Sequence, residues 1–558
     1  MRRTALSQNA VPSGLPVLNR SWPFAGGGIR DIGMDGRYVD EPQAPAGPDE
    51  VIARIDAVCI CSSDIKIIRM GKAHPLFADR DLADSPAVLG HEMALTIVDA
   101  GANWRDRFRP GDRLGLQPAI MVEGRRRTVG MDLPGAFAEY IRLDARVLAG
   151  EGPYVFPVPA DVSAATIAML EPYACVEAAY RPNCRTSLKS GGRLLVVEAV
   201  PGTRFDRPAP DGEVVLVGAG EAARAWAGGA ASVAWHESLD AFAASEAGQA
   251  SYDDIILAGR LDAEATARLA NCLAKGGLMV LVGSELGHES VILDAARIHY
   301  HELSFLGSPG PSLSEAFLPA RTRFELRAGG IALVLGAGGA MGRIHTHRAL
   351  ELKDGPATVI ATSRKGARLK ALEDDFAPLA RQHGKTLVVI EDGEVEACVA
   401  RLAPEGCDDV VVVAPEVAVI ERGARLMRAD GMLVLFAGMP FGQPCALPLG
   451  LVSSANARIT GSTGCTVADQ LAVLDRVVEG SLELSGNLEA VAGLGALPDA
   501  LEAVNAGKVS GKIAIYPALL DLPVTPVRDL RQDDQPVRWS LEDEKRLFDG
   551  GISNASQG

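Results

Sequence analysis

The chain states one pattern twice. From Tyr252, "YDDIILAGRLDAEATARLANCLAKGGLMVLVGS" runs as an Asp-Asp pair, an apolar strand, an alanine-rich helix, a glycine turn and a second apolar strand. From Cys407, "CDDVVVVAPEVAVIERGARLMRADGMLVLFAG" passes through the same features. "ELSFLGS" and "ARITGS" then follow, with Gly307 and Gly461 about 154 residues apart. Short continuous apolar runs alternating with helices predict parallel sheets covered on both faces. A shared offset over three successive features predicts an internal duplication, although any two such units share part of the pattern. The fold class is therefore α/β, with doubly wound units at about 190–320 and 325–480.

At 558 residues the chain is too long for a single core. Its front has a different rhythm: "EVIARIDAVCI" alternates, and "RPGDRLGLQ" is a turn running into a strand, which together predict a small β-rich domain. Four segments are expected: a β-rich domain at 1–188, an additional unit at 189–322, a dinucleotide-binding unit at 323–480, and a segment at 481–558 that returns to the first domain. The stretch "LEAVAGLGALPDALEAVNAGKVSGKIAIYPAL" in that last segment reads as helix ending in a short strand. A net charge of −16 argues against nucleic acid and against anionic membrane surfaces. No apolar run reaches the roughly 18 to 20 residues of a membrane span, and "MRRTALSQNAVPSG" leads into no hydrophobic stretch, so no signal peptide is expected. Nine scattered cysteines do not form a disulfide framework, which points to a reduced, cytoplasmic protein.

Three short motifs carry chemistry: "CSSD" with Cys61, "GHE" with His91 and "LEPYAC" with Glu171. Thiolate, imidazole and carboxylate are the mixed set that suits zinc with an open fourth position. Such a zinc acts as a Lewis acid on an alcohol or carbonyl oxygen. Singly, each residue also reads as core filler, an interior histidine or a solvated helix start.

Together, and in that order, the motifs resemble those of the medium-chain alcohol and polyol dehydrogenases. The resemblance implies a GroES-like catalytic domain joined to a Rossmann domain, with Cys61, His91 and Glu171 as ligands of a catalytic zinc. It makes Glu92 a neighbour able to approach the metal. Asp64 would fix the tautomer of His91, and Ser63 would pass the substrate proton towards solvent. Family members often carry a four-cysteine lobe just after "GDR". Here "GDRLGLQPAIMVEGRRRTVGMDLPGAFAEY" has no cysteine, so one catalytic zinc and no structural zinc are expected. "KAH" (Lys72 to His74), "GDRLGLQPAI", "CDDVVVVAP" and "LRAGGIALVLGAGGAMG" resemble the L-sorbose-1-phosphate reductase branch. That implies polyol, ketose or sugar chemistry, the unit at 189–322 being an addition to the branch.

"IALVLGAGGAMG" is a strand running into a glycine turn and a helix, the arrangement that seats a pyrophosphate at a helix N-terminus. Gly336, Gly338, Gly339, Met341 and Gly342 are the candidates. Two registers fit, one led by Gly336 and the other by Ala337. The next strand ends in Ser363, Arg364 and Lys365 with no carboxylate. A hydroxyl and two cations suit a 2′-phosphate and so favour NADP(H) over NAD(H), although an exposed basic turn reads alike. In the additional unit, "VVLVGAGEAARAW" is followed too soon by "ASVAW" for a full dinucleotide half. That unit is expected to be degenerate and to pack edge to edge on the working one.

The leading reading is a zinc-dependent oxidoreductase moving hydride between NADP(H) or NAD(H) and a polyol, sugar or sugar phosphate. Alternatives are oxidation coupled to epimerisation through the extra unit, and a nucleotide or sugar sensor without turnover. His299 and His301, two apart in "IHYHE", would share one face of a strand as packing residues. Lys66, Lys72 and His74 are candidates for gripping a phosphate, and equally ordinary loop residues. The assembly is expected to be a homo-oligomer or a pseudo-dimer within one chain.

Overall fold

The computed structural model describes residues 17–150, 152–182, 185–199, 202–284, 286, 289–530 and 539–550. The chain divides into two compact units, residues 1–175 with 464–558, and residues 176–463. No described helix is long and apolar enough to cross a membrane.

The first unit is built on an eight-stranded sheet. Strand Val51–Cys59 is central, antiparallel to Glu92–Ala100 on one side and to Lys512–Tyr516 on the other. Val51, Ile55, Val58, Leu95, Ile97, Ile513 and Ile515 pack into its core. The stretch expected to be helical before its final strand is instead strand, helix, strand: Leu488–Gly493, Leu497–Asn505 and Lys512–Tyr516. "LEAVAG" has helix-forming residues, but it lies between Lys512–Tyr516 and Thr525–Pro526, which supply its backbone partners. Tertiary pairing overrides a weak local preference.

The second unit holds two six-stranded parallel sheets. In chain order, the strands of the first are Arg193–Glu198, Glu213–Val217, Ser232–His236, Tyr252–Ala258, Leu273–Val282 and Ser304–Ser308. Those of the second are Ile331–Leu335, Thr358–Ser363, Thr386–Glu391, Cys407–Val412, Met427–Leu435 and Arg458–Gly461. Both sheets take the order third, second, first, fourth, fifth, sixth.

The likeness extends to single hydrogen bonds. The register slips at the Asp-Asp pair in both fourth strands, between Tyr252 and Asp254 and between Cys407 and Asp409. Asp253 accepts from the Arg193 backbone at 2.9 Å, and Asp408 from that of Ile331 at 2.8 Å. Asp254 accepts from Lys189 N and pairs with Arg185, while Asp409 accepts from Arg327 N and pairs with Arg323. In each sheet the Asp-Asp carboxylates, all buried except the half-buried Asp253, clamp the chain as it enters the first strand, and each bond they make offsets their desolvation. The copies differ in length: Arg193 and Asp253 are 60 residues apart, Ile331 and Asp408 are 77. The second copy uses the extra residues for helix Ala340–Glu351 after its first strand, where the first copy has no helix among the described residues. The glycine turn of "VVLVGAGEAARAW" accordingly follows the second strand of its sheet, not the first as a coenzyme turn requires.

The two sheets meet at their sixth strands. A Cβ on Gly307 would stand 2.7 Å from Ser453 Cα, and one on Gly461 would stand 3.0 Å from His299 Cα. Strands Val291–Asp294 and Pro444–Leu447 pair antiparallel alongside. Each sixth strand thus packs on the short helix that precedes the other, and only glycine leaves room. His299 lies in helix Ala295–Tyr300 and His301 closes it, so neither is on a strand. Asp294 starts that helix by accepting from Ala296 N at 3.0 Å, an end-capping bond that "AARIHY" alone does not reveal.

Candidate metal centre and coenzyme turn

Sheet register explains why Cys61 and His91 converge. Cys59 ends one strand directly opposite Glu92, which begins the next. The chain therefore leaves and enters the sheet at one edge. Cys61 precedes helix Ser62–Met70, and its N–H donates to Asp64 Oδ2 at 2.9 Å. The other carboxylate oxygen of Asp64 lies 3.3 Å from His91 Nδ1, so one buried residue both closes the helix and aims the ring. Gly90 holds a left-handed φ of 91° with Phe137 against it, which turns the chain into His91. Ser63 Oγ is 3.3 Å from His91 Nε2.

Cys61, His91 and Glu92 offer a sulfur, a ring nitrogen and a carboxylate oxygen within 4.8 Å of one another. His91 is 4% exposed and Glu92 fully buried. Glu92 Oε1 accepts from Lys512 Nζ at 2.5 Å, while its Oε2 is buried with no hydrogen-bond partner among the described residues. Burial pushes the Glu92 carboxyl up, Lys512 pulls it down, and the nearby Glu171 charge adds to the rise. Burial also works against a charged His91, yet Asp64 and Cys61 hold it well above its usual range. A largely buried S, N, O set with one carboxylate oxygen lacking a partner among the described residues fits a borderline-soft cation such as zinc.

Glu171 is placed differently. Its carboxylate joins the thiols of Cys175 and Cys465 within 4.8 Å and forms an adjoining triad. The structure thus brings together Cys61, Ser63, Asp64, His91 and Glu92, and sets Glu171 beside them. Lys66 and Lys72 are exposed, and His74 Nδ1 accepts from Leu76 N in a local turn.

In the second unit, Ile331–Leu335 runs through the glycine turn into helix Ala340–Glu351. Gly336 takes φ 87°. A Cβ on Gly342 would stand 2.6 Å from Ala337 Cα, and one on Gly338 would stand 2.1 Å from Ser363 Oγ. At Gly339, the residue capping the helix, a Cβ would meet nothing within 4 Å. Close packing at Gly342 and open space at Gly339 favour the register led by Ala337, with Gly339 where a pyrophosphate would approach and Met341 half-buried in the first turn. Arg364 and Lys365 are exposed past Ser363. Lys365 Nζ lies 3.3 Å from Glu391 on the neighbouring strand, a carboxylate in register with Ser363.

Residues 47–151 match the family model for the alcohol dehydrogenase GroES-like domain. The front of the chain is that domain. Among curated proteins, L-sorbose 1-phosphate reductase of Klebsiella pneumoniae is 30% identical over 103 residues, 18% of this chain and 25% of that protein. Sorbitol dehydrogenase of Bacillus subtilis (strain 168) is 27% identical over 168 residues, 27% of this chain and 43% of that protein. The chain therefore spans a quarter to under half of these relatives. The crystal structure of 2R,3R-butanediol dehydrogenase from Bacillus subtilis superposes with a TM-score of 0.51 at 15% identity, over 89% of this chain and 99% of that one. At that identity the likeness shows the fold. Over its front the chain is similar to the medium-chain polyol dehydrogenases.

For a chain with such relatives, the sequence reading missed Lys512, the buried partner of Glu92, and the pairing of Cys175 with Cys465. Lys512 and Glu92 are 420 residues apart, and "SGKIA" carries no mark of a buried ammonium. "EPYAC" does place Glu171 and Cys175 at i and i+4, a spacing that puts both on one helical face.

Proposed function

We propose that this chain is a zinc-dependent oxidoreductase moving hydride between a nicotinamide coenzyme and a secondary alcohol or ketone of a polyol, sugar or sugar phosphate. The observation that carries this is the Cys61, His91, Glu92 set, half-buried at Cys61 and buried at the other two, with the Ser63 hydroxyl against the His91 ring. The names of the relatives support the substrate class. One zinc is proposed here, on Cys61, His91 and Glu92, and none in place of the cysteine-free lobe. Zinc bound there would supply Lewis acidity to the substrate oxygen, and the coenzyme would accept or give the hydride. The residues do the rest. Asp64 holds the His91 ring in orientation, Lys512 balances Glu92, and Ser63 carries the proton between the substrate oxygen and solvent. The test is absorbance at 340 nm with NAD and NADP against polyols, ketoses and their phosphates, on protein of known zinc content. Chelator-sensitive turnover supports the reading, and silence from zinc-loaded protein overturns it.

NADP(H) is the proposed preference, because Ser363 and the exposed Arg364 suit a 2′-phosphate. Arg364→Ala is expected to lower the NADP-to-NAD ratio of kcat/KM by about tenfold, the loss of one charge-assisted bond. An unchanged ratio assigns the preference elsewhere.

The additional unit is proposed to be degenerate for coenzyme. Glu198, at the end of its first strand, accepts from Gly220 N at 2.7 Å, so an internal carboxylate occupies the start of the helix that follows the second strand. Its sheet is proposed to stand where a partner subunit's would, through the reciprocal packing at Gly307 and Gly461. The expected result of light scattering on the eluting protein is the mass of one chain. A stable dimer would show that another surface drives assembly.

A further inference from the structure

Beside the proposed catalytic set lies a second group of metal-binding side chains that the proposed reaction does not use. Glu171 and Cys175 stand one turn apart on helix Ala164–Ala178, and Cys465 faces them from the returning segment. Cys175 Sγ is 3.3 Å from Glu171 Oε1. Cys465 Sγ is 3.2 Å from Gln117 Oε1 and 3.9 Å from the Glu171 carbonyl oxygen. The two sulfurs and the carboxylate oxygen lie within 4.8 Å of one another.

Buried amides hold Cys465 in place. Gln117 Nε2 donates to its carbonyl at 2.9 Å, and Gln470 Nε2 donates to Gln117 Oε1 at 2.7 Å while lying 3.9 Å from the sulfur. Gln117 and Gln470 are 2% and 1% exposed. Packing alone explains a single buried cysteine, which behaves as a small apolar residue. It does not explain two sulfurs and a carboxylate brought to one point and braced by two buried amides, because each polar group there costs desolvation that an alanine would not.

We propose that Glu171, Cys175 and Cys465 form a second site for a thiophilic divalent cation, with zinc as its ligand by donor chemistry. Two thiolates and one carboxylate are three of the four donors that zinc takes, and a water completes the set. The site is separate from the cysteine-rich lobe of the family and adjoins the first centre. The chain leaves this unit after Cys175 and returns at Gly464, so the ion ties the exit of the chain to its re-entry. It also engages the carboxylate whose charge reaches Glu92.

Cobalt(II) titration of the metal-free full-length protein tests this. Thiolate-to-cobalt charge transfer in the near ultraviolet grows with the number of Co–S bonds. The expected result is two equivalents bound per chain, with a sulfur band about twice as intense for the second site as for the first. Cys465→Ser weakens the second phase at least tenfold and leaves the first intact. Cys61→Ser removes the first and leaves the second, so the two centres fail independently. As a check that needs no variant, zinc should shield Cys175 and Cys465 from alkylation, located by peptide mass. One equivalent of cobalt insensitive to Cys465→Ser, or alkylation at both cysteines unchanged by zinc, overturns the proposal.

Discussion

His91→Ala is expected to abolish turnover and metal retention together, whereas Ser63→Ala abolishes turnover and keeps the metal. His91 supplies the ring nitrogen of the proposed set and is held from behind by Asp64 at 3.3 Å. Removing it takes away a ligand and leaves Glu92 and Asp64 as buried carboxylates with less to compensate them. The metal's share of transition-state stabilisation is several kcal/mol, so the rate should fall by on the order of 10³-fold or more. Ser63 sits 3.3 Å from the opposite ring nitrogen, within reach of an oxygen bound at the centre. Losing a positioned proton carrier should cost about 10²- to 10⁴-fold in kcat and flatten the pH profile, with zinc content unchanged. Asp64→Asn tests orientation alone, and a loss of about 10- to 100-fold in metal affinity is expected. Metal analysis beside steady-state kinetics separates the three. If His91→Ala keeps both zinc and rate, the centre lies elsewhere.

What could be read from the sequence was local. "CSSD" and "GHE" are legible because the chemistry and its orienting group fall within four residues, and because strand pairing at Cys59 and Glu92 does the rest. The doubled Asp-Asp strands were legible for a related reason: each pair clamps its own domain entrance, so the pattern and its purpose lie in one copy. Long-range partners were not. Glu171 lies beside the Cys61, His91 and Glu92 set, and its carboxylate also meets Cys175 on its own helix and Cys465, which the returning segment supplies. Nothing in "GSTGCTV" announces that neighbour. Helix propensity misled at "LEAVAG", where two flanking strands decide the outcome. In the first sheet "VVLVGAGEAARAW" begins within the second strand, and "RLLVVE", the first strand, is followed by no glycine-rich turn of that kind.

The two sheets share one topology and differ in local detail. Both keep the buried Asp-Asp clamp and the glycine at the shared edge, the features that hold a sheet together and join it to its twin. Only the second keeps a helix after the first strand and open space at the helix-capping glycine. The first sheet has no such helix among the described residues, while the packing that needs two sheets is common to both. Side chains at Gly307 or Gly461 would clash with backbone of the opposite sheet, so this edge accepts only glycine.

Lys512→Met should destabilise the metal-free protein by about 3–5 kcal/mol, the cost of breaking a buried pair from one side. Lys512 is 2% exposed and Glu92 fully buried, with nitrogen and oxygen 2.5 Å apart. Burial works against the Lys512 ammonium, but Glu92 and Cys61 raise its pKa, so the ammonium form is favoured while Glu92 is present. With methionine in place of the ammonium, Glu92 keeps its desolvation and loses its counter-charge. Glu92→Gln in the same chain removes that charge, so the double variant should recover most of the loss, the sign of a direct coupling. The metal adds a second prediction to the same experiment. If Glu92 Oε2 faces the proposed cation, zinc compensates the carboxylate that Lys512 no longer does, and zinc stabilises Lys512→Met more than it stabilises the unaltered protein. Denaturant unfolding with and without zinc reads both effects. Equal stabilisation of the two proteins would mean that Glu92 answers to Lys512 alone and that the metal is held by Cys61 and His91 with some other third ligand.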